Sequence, residues 1–255
     1  MLKVVALYQF TPLPDFRELC EPLRALCGRW SIKGSILLAA EGVNGTVAGM
    51  PDAIDGLVSE LHTGSLFSGR LNNLELRFSR ASTMPFARMK VRLKKEIVTL
   101  GDPATDPTRA VGVYVDPRDW NELIAAPDTF LIDVRNAFEV AMGSFEGAVD
   151  PQLDRFGKFK DFAAQKLDPR QHRRIAMFCT GGIRCEKASS YLLSRGFGEI
   201  YHLKGGILKY LEEIPESESR WRGECFVFDD RIALGHGLKE SQHAVRLMDG
   251  APRDE

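Results

Sequence analysis

Residues 173–196, RRIAMFCTGGIRCEKASSYLLSRG, constrain the fold more than any other stretch of the chain. An apolar run ends at Cys179, a Gly-Gly pair turns the backbone, and a helical pattern runs on to Gly196. A buried strand that feeds straight into a helix belongs to a mostly parallel α/β sheet, because its neighbour is reached by a helical crossover. The surrounding sequence agrees. TFLIDVRN (129–136) and EIYHLKGG (199–206) read as further strands, and DWNELIAAP, FGKFKDFAAQKL and ILKYLEEI as helices.

In an open α/β sheet, sites form beyond the carboxyl ends of the strands. Cys179 stands at that place, and Thr180, Gly181, Gly182, Ile183 and Arg184 complete the loop. The glycines let backbone N–H groups turn inward at little steric cost. The next helix aims its N-terminus at the same spot, and Arg184 adds a cation. Together these make an anion cradle and predict a depressed pKa for Cys179. A purely structural cysteine would leave the Gly-Gly turn and the arginine idle. Phosphate-ester chemistry on a cysteine closes its arginine over the phosphate from one position further on, where Cys185 stands. The tighter loop suits a sulfur-sized adduct such as a persulfide. Cys185, in the first turn of the helix, is either a resolving thiol or a residue packed against the sheet.

The first half alternates differently. KVVALYQF (3–10), SIKGSILLAA (31–40), GVNGTVAG (42–49) and LELRFSRA (74–81) read as strands. PDFRELCEPLRALCGRW (14–30) reads as an amphipathic helix with Leu19, Leu23 and Leu26 at helical spacing, and PDAIDGLVSELH (51–62) as a second helix with Pro at its first position. Asn44-Gly45 supplies a tight turn beside these strands. The order is the split βαβ, ferredoxin-like arrangement βαββαβ, an α+β domain ahead of the α/β domain. The boundaries fall at 1–95 for the first domain and 96–117 for a linker whose second part is proline-rich. The α/β domain follows at 118–222, and 223–255 is a C-terminal extension.

A net charge of −1 over 255 residues excludes a global pull toward nucleic acid or membrane, so any such pull is local. Between 70 and 95, Arg70, Arg77, Arg80, Arg88, Lys90, Arg92, Lys94 and Lys95 stand against Glu75 alone. Alternation puts Arg88, Lys90, Arg92 and Lys94 on one face of an extended segment, with Lys95 next to them. That row either tracks a phosphate backbone without reading its sequence or guards an edge strand with charge. No apolar run reaches the ~18–20 residues that span a bilayer, and the N-terminus reads as no secretory signal. Cys20, Cys27, Cys179, Cys185 and Cys225 form neither a C-x-x-C pair nor a zinc spacing, which fits a reducing cytoplasm. Cys20 and Cys27, a heptad apart on the first helix, read as core filler.

FCTGGIRCEKAS resembles the active loop of rhodanese (sulfurtransferase) domains. LIDVRNAFEVAMGSFEGAVD (131–150) resembles that family's Asp-x-Arg…Glu…Gly-x-x-x-Gly-Ala segment, and LKGGILKYLEE (203–213) its terminal Gly-Gly segment. The resemblance implies that Cys179 is the persulfide-forming nucleophile and that Asp133, Arg135 and Glu139 brace its loop. As plain ion pairs, Asp133 and Glu139 would only hold the strand end. Over about residues 1–238, YQF, AAEGVNGTVAG, FARMKVRLKKEIVTLG, FCTGGIRCEKAS and RGECFVFDDRIALGHGL, in this order, resemble the bacterial tRNA uridine hydroxylase family of rhodanese-containing proteins. This wider resemblance implies an acylphosphatase-like, ferredoxin-type domain ahead of the rhodanese domain. It also implies oxygen-dependent 5-hydroxylation of the wobble uridine, with Cys179 essential, tRNA as partner and molecular oxygen as co-substrate. No haem, flavin or iron pattern is legible, so no cofactor or metal is expected, and the electron source and oligomeric state have no sequence signal. Members of the family often continue after FVFDDR into a cysteine-rich tail. Here KESQHAVRLMDGAPRDE (239–255) has no cysteine and is expected to be loosely ordered. Cys225 is then expected to be packed rather than a ligand, and His236 and His243 to lie on the surface.

Two function classes stay open on the sequence. In a tRNA-modifying oxygenase, the basic row holds the anticodon arm and Cys179 acts on the uridine or on oxygen. In a sulfurtransferase, Cys179 passes persulfide sulfur to a protein or RNA acceptor. The cysteine loop alone favours the second class, whereas the basic row and the whole-chain resemblance favour the first. A non-enzymatic RNA-binding module would leave the cradle unexplained.

Overall fold

The structure, a computed structural model, describes residues 1–241 and divides after Thr99. The first unit runs β1 (Leu2–Phe10), α1 (Cys20–Arg29), β2 (Lys33–Ala39), β3 (Gly42–Gly49), α2 (Pro51–Thr63), β4 (Glu75–Ala81) and β5 (Met89–Leu93). The strand order is β4-β1-β3-β2-β5, antiparallel except for the parallel pair β2–β5. The first six elements are the βαββαβ order read from the sequence, and β5 adds an edge strand. Strand alternation sorts the two faces. Val5, Leu7, Ile36, Leu38, Val43, Val47 and Val91 meet Leu23, Leu26, Cys27, Ile54, Leu57 and Leu61 of the two helices in one core. Each such side chain contributes about 1.5–3 kcal/mol on burial, and a one-residue slip would expose a whole row, so the pattern fixes the register.

Two local expectations are corrected in this unit. The first helix begins at Cys20, not near residue 14, because residues 14–19 close as successive turns, with the Asp15 carbonyl accepting from Glu18 N–H at 2.9 Å. The Asp15 carboxylate accepts from Arg70 Nη2 (2.9 Å). Asn44 and Gly45 lie inside β3, opposite Leu37 and Ile36, and the turn falls on Ala40 and Glu41. Gly45 is needed there for close packing, since a Cβ would stand 2.5 Å from the Ser35 carbonyl oxygen.

The second unit runs β6 (Val113–Val115), α3 (Pro117–Ala125), β7 (Thr129–Asp133), α4 (Ala137–Val140), β8 (Gly143–Phe145), α5 (Phe159–Lys166), β9 (Arg174–Phe178), α6 (Ile183–Ser194), β10 (Glu199–Leu203), α7 (Gly206–Glu213), β11 (Trp221–Gly223), β12 (Cys225–Phe226) and β13 (Ala233–Leu234). Its main sheet, β6-β10-β9-β7, is wholly parallel, while β8–β11 and β12–β13 are antiparallel pairs. Trp120, Phe145, Phe178, Tyr210 and Trp221 pack edge to face, with ring centroids 4.7–6.4 Å apart. Residues 113–115, expected in the linker, form an edge strand, because the β-branched alternation of VGVYV outweighs the prolines around it. The segment from 223 is no appendage, since Cys225, Val227 and Leu234 are buried in the same core as Phe145 and Trp221. His236, expected on the surface, is half-buried with Nδ1 shut from solvent. The expectations for His243 and for the tail beyond residue 241 lie outside the described residues. Among the described residues, no helix is long and apolar enough to cross a membrane.

Candidate active site

Cys179 follows the last residue of β9 and is wholly buried. Gly182 sits at φ 109°, a conformation open to glycine, and there ends the turn and starts α6. Its N–H donates to Cys179 Sγ at 3.2 Å. From the first turn of α6, the Cys185 side chain also hydrogen-bonds the Cys179 sulfur. Burial pushes the Cys179 thiol up. The Cys185 hydrogen bond, the Arg184 charge and the N–H groups of Cys185 and Gly182 outweigh it and bring the thiol down to about 6. The other thiols go the opposite way. Burial drives Cys27 and Cys225 up to about 12, and burial plus the contact with Cys179 raises Cys185 well above its ordinary value. The pair is therefore a Cys179 thiolate receiving a proton-bearing Cys185.

Arg184 is less free than its position in the loop suggests. Its guanidinium grips Glu139 at two points, Nη1–Oε2 2.6 Å and Nη2–Oε1 2.8 Å, and Nη2 also reaches Thr180 Oγ1 at 3.1 Å. Thr180 Oγ1 donates in turn to Glu139 Oε1 at 3.2 Å. Burial pushes the Glu139 carboxyl up, but Arg184, Arg135 and the Asn136 N–H hold it below the usual range. Arg135 is clamped by Asp133 (Nε–Oδ1 2.9 Å, Nη2–Oδ2 2.6 Å) and donates to the carbonyls of Gly143 (2.6 Å) and Glu139 (3.3 Å). Asp133 pairs across the sheet with Phe178, so this network sits beside the strand end that carries Cys179. Removing one partner of a buried ion pair costs about 3–5 kcal/mol, which makes these groups a frame for the loop.

A second glycine pair completes the loop's support. Gly205 (φ 73°) and Gly206 (φ 65°) deliver α7 so that Ile207 N–H donates to the Cys179 carbonyl (2.9 Å) and Leu208 N–H to the Thr180 carbonyl (3.1 Å). Trans peptide geometry then turns the N–H groups of Thr180 and Gly181 to the opposite side, away from α7. A Cβ on Gly206 would lie 2.5 Å from both carbonyl oxygens. Reading the loop by itself misses Gly206, although the Gly-Gly before ILKYLEE is a legible signal. Ser144, which donates to Asp133 Oδ2 at 2.8 Å, and Trp221, whose ring lies 5.2 Å from the Arg135 guanidinium, have no local signal.

The basic row forms a separate surface on the first unit. Ile36 and Leu38 face the helices, so their neighbours Ser35 and Leu37, paired with Lys90 and Arg92, face away. Gly34 N–H donates to the Arg88 carbonyl and Lys94 N–H to the Leu38 carbonyl, which continues the ladder through Arg88 and Lys94. Lys94 and Lys95 are exposed. β5 is also the sheet's edge, so the placement is compatible with edge protection as well as phosphate contact. One residue joins the face unforeseen. Arg77 on β4 shares it across the row Arg77–Ala6–Thr46–Ser35–Lys90. Four strand spacings put basic side chains about 19 Å apart on either side of small residues.

Comparison with known proteins gives these features a family. Residues 2–97 match the model of the UPF0176 acylphosphatase like domain, and residues 116–213 match that of the rhodanese-like domain. A protein from Nitrobacter winogradskyi, named tRNA uridine(34) hydroxylase, is 83% identical over 255 residues, the whole of both chains. Proteins of the same name from Bradyrhizobium diazoefficiens (72% identical, covering 93% of each chain) and Picosynechococcus (51% identical, covering 98% of this chain and 83% of the relative) extend the match. With an acylphosphatase-like domain, a rhodanese-like domain and identity from end to end, the chain belongs to the tRNA uridine(34) hydroxylase family.

Proposed function

We infer that this chain hydroxylates uridine 34 of tRNA at C5, that molecular oxygen is the co-substrate, and that Cys179 carries the chemistry. The observation that supports the reading most is identity over the whole length with relatives of that name. The site supplies a thiolate at neutral pH, from a sulfur whose pKa is brought down to about 6, so the ionised form is favoured above that pH. A thiolate adds to C6 of the uracil ring and leaves C5 nucleophilic toward oxygen. Loss of the C5 proton and departure of the thiolate restore the ring. One oxygen atom becomes the C5 hydroxyl, and the other leaves as water with two electrons and two protons from an external reductant. Arg88, Lys90, Arg92, Lys94 and Lys95 hold the anticodon arm by its phosphates. The reaction takes place in the cytoplasm, where tRNA is found.

The rhodanese-like match favours a second reading, in which Cys179 carries a persulfide and passes its sulfur to an acceptor. Incubating the purified chain with tRNA, a reductant and isotopically heavy dioxygen separates the two. Heavy oxygen at C5 of nucleotide 34 is the expected result. Oxygen drawn from water instead, or a thiolated nucleoside, would overturn the hydroxylase mechanism.

A further inference from the structure

The hairpin of β12 and β13 has no part in the chemistry above. Its tip, residues 227–232, is nonetheless tightly fixed. Val227 N–H donates to the Ile232 carbonyl at 2.8 Å, and Ile232 N–H to the Asp229 carbonyl at 2.9 Å. Asp229 and Arg231 pair at two points, Nε–Oδ1 2.7 Å and Nη2–Oδ2 2.6 Å, with side chains only 1% and 6% exposed. Ile232, a β-branched residue, is held at φ 68°, a conformation that persists only where the surroundings impose it. This frame holds Phe228 out into solvent at 55% exposure, more than any other aromatic ring among the described residues. Phe228 meets Phe226 edge-on at 4.9 Å, and Phe226 meets Phe138 edge-on at 5.1 Å. Phe138 precedes Glu139, whose carboxylate grips Arg184 and Thr180 of the cysteine loop. A ladder of three rings thus runs from solvent to the element that braces Cys179.

We propose that Phe228 is a substrate-binding platform on which a base next to the target uridine stacks. The proposal rests on the hydroxylase reading for the identity of the RNA. A uridine whose C6 must meet a buried sulfur leaves the stack of its neighbours, and the base left behind loses a partner. Aromatic rings take such unstacked loop bases by their faces without reading sequence. The charge at the tip selects a base over the backbone. Arg231 is consumed by Asp229, and Asp230 is exposed, so the tip offers a phosphate no free cation and one repelling carboxylate.

The test uses the full chain with an anticodon stem-loop RNA, and with the same RNA carrying an abasic nucleotide on one side of the uridine or the other. Phe228→Ala is expected to raise KM and Kd for the intact RNA about 5- to 150-fold, with kcat little changed because stacking is uniform binding. Phe228→Tyr should restore affinity and Phe228→Leu should not, with melting temperatures close to the native chain for all three. One abasic position should weaken the native chain and leave Phe228→Ala unaffected. Native affinity in Phe228→Ala, rescue by leucine, or penalties that simply add would each overturn the proposal. If the native chain binds the stem-loop but never hydroxylates it, the hydroxylase reading fails, while the Kd comparison still decides the stacking.

Discussion

A wholly buried thiol left to itself ionises only well above its ordinary value of about 8.5. At Cys179 the balance is reversed by donors that converge on one sulfur, and the thiol falls to about 6. The thiolate fraction therefore rises as pH passes through about 6, and a rate that depends on it falls below that point and levels off above it. Cys185 is the largest of the stabilising influences, so Cys185→Ala should move the midpoint of thiolate absorbance and of the pH–rate profile upward. Cys185→Ser, which keeps a donor, should move it less. An unchanged midpoint in Cys185→Ala would reduce Cys185 to a packed residue. The cradle was legible in the sequence because strand end, glycines, arginine and helix start are contiguous. The partner of Arg184 was not legible as a contact, because Glu139 lies 45 positions away and only folding brings the two together. The arginine is a strut bound to Glu139 that still acts on the sulfur through its charge.

At the scale of elements, the cysteine loop is shaped by α7 as much as by its own residues. Gly206→Ala would place a Cβ 2.5 Å from the carbonyl oxygens of Cys179 and Thr180, at a φ that disfavours any side chain. The expected outcome is a stability loss of roughly 1–3 kcal/mol and a fall in turnover, read by thermal unfolding and single-turnover kinetics. Native turnover in this variant would mean that α7 does not set the loop. Most elements were legible from their periodicity, since β3 and α6 carry clean patterns and clear glycine stops. β6 was hidden among prolines and is defined by β10, a partner distant in sequence, while β13 is two residues long, too short to carry a pattern of its own. The Asn-Gly in β3 misleads for a related reason, because close packing against Ser35 selects glycine there and turn geometry does not.

For the whole molecule, a nearly neutral chain concentrates basic side chains on the helix-free face of its first sheet. Replacing Arg88, Lys90, Arg92 and Lys94 by Gln should weaken tRNA binding. It should also flatten the salt dependence, by about 0.7–0.9 in log–log slope for each phosphate that is no longer neutralised. Binding titrations across a salt series would measure this. Unchanged affinity and slope would leave the row as protection for the edge strand β5. The alternation made the row legible, but its continuation to Arg77 depends on strand order, which no local pattern encodes. Cys179 is proposed to drive hydroxylation of uridine 34. The most direct measurement is nucleoside mass spectrometry of tRNA from cells lacking the gene and supplied with either the native chain or Cys179→Ser. 5-Hydroxyuridine and its derivatives should return with the native chain alone. Their return with Cys179→Ser, or a change confined to thiolated nucleosides, would contradict it.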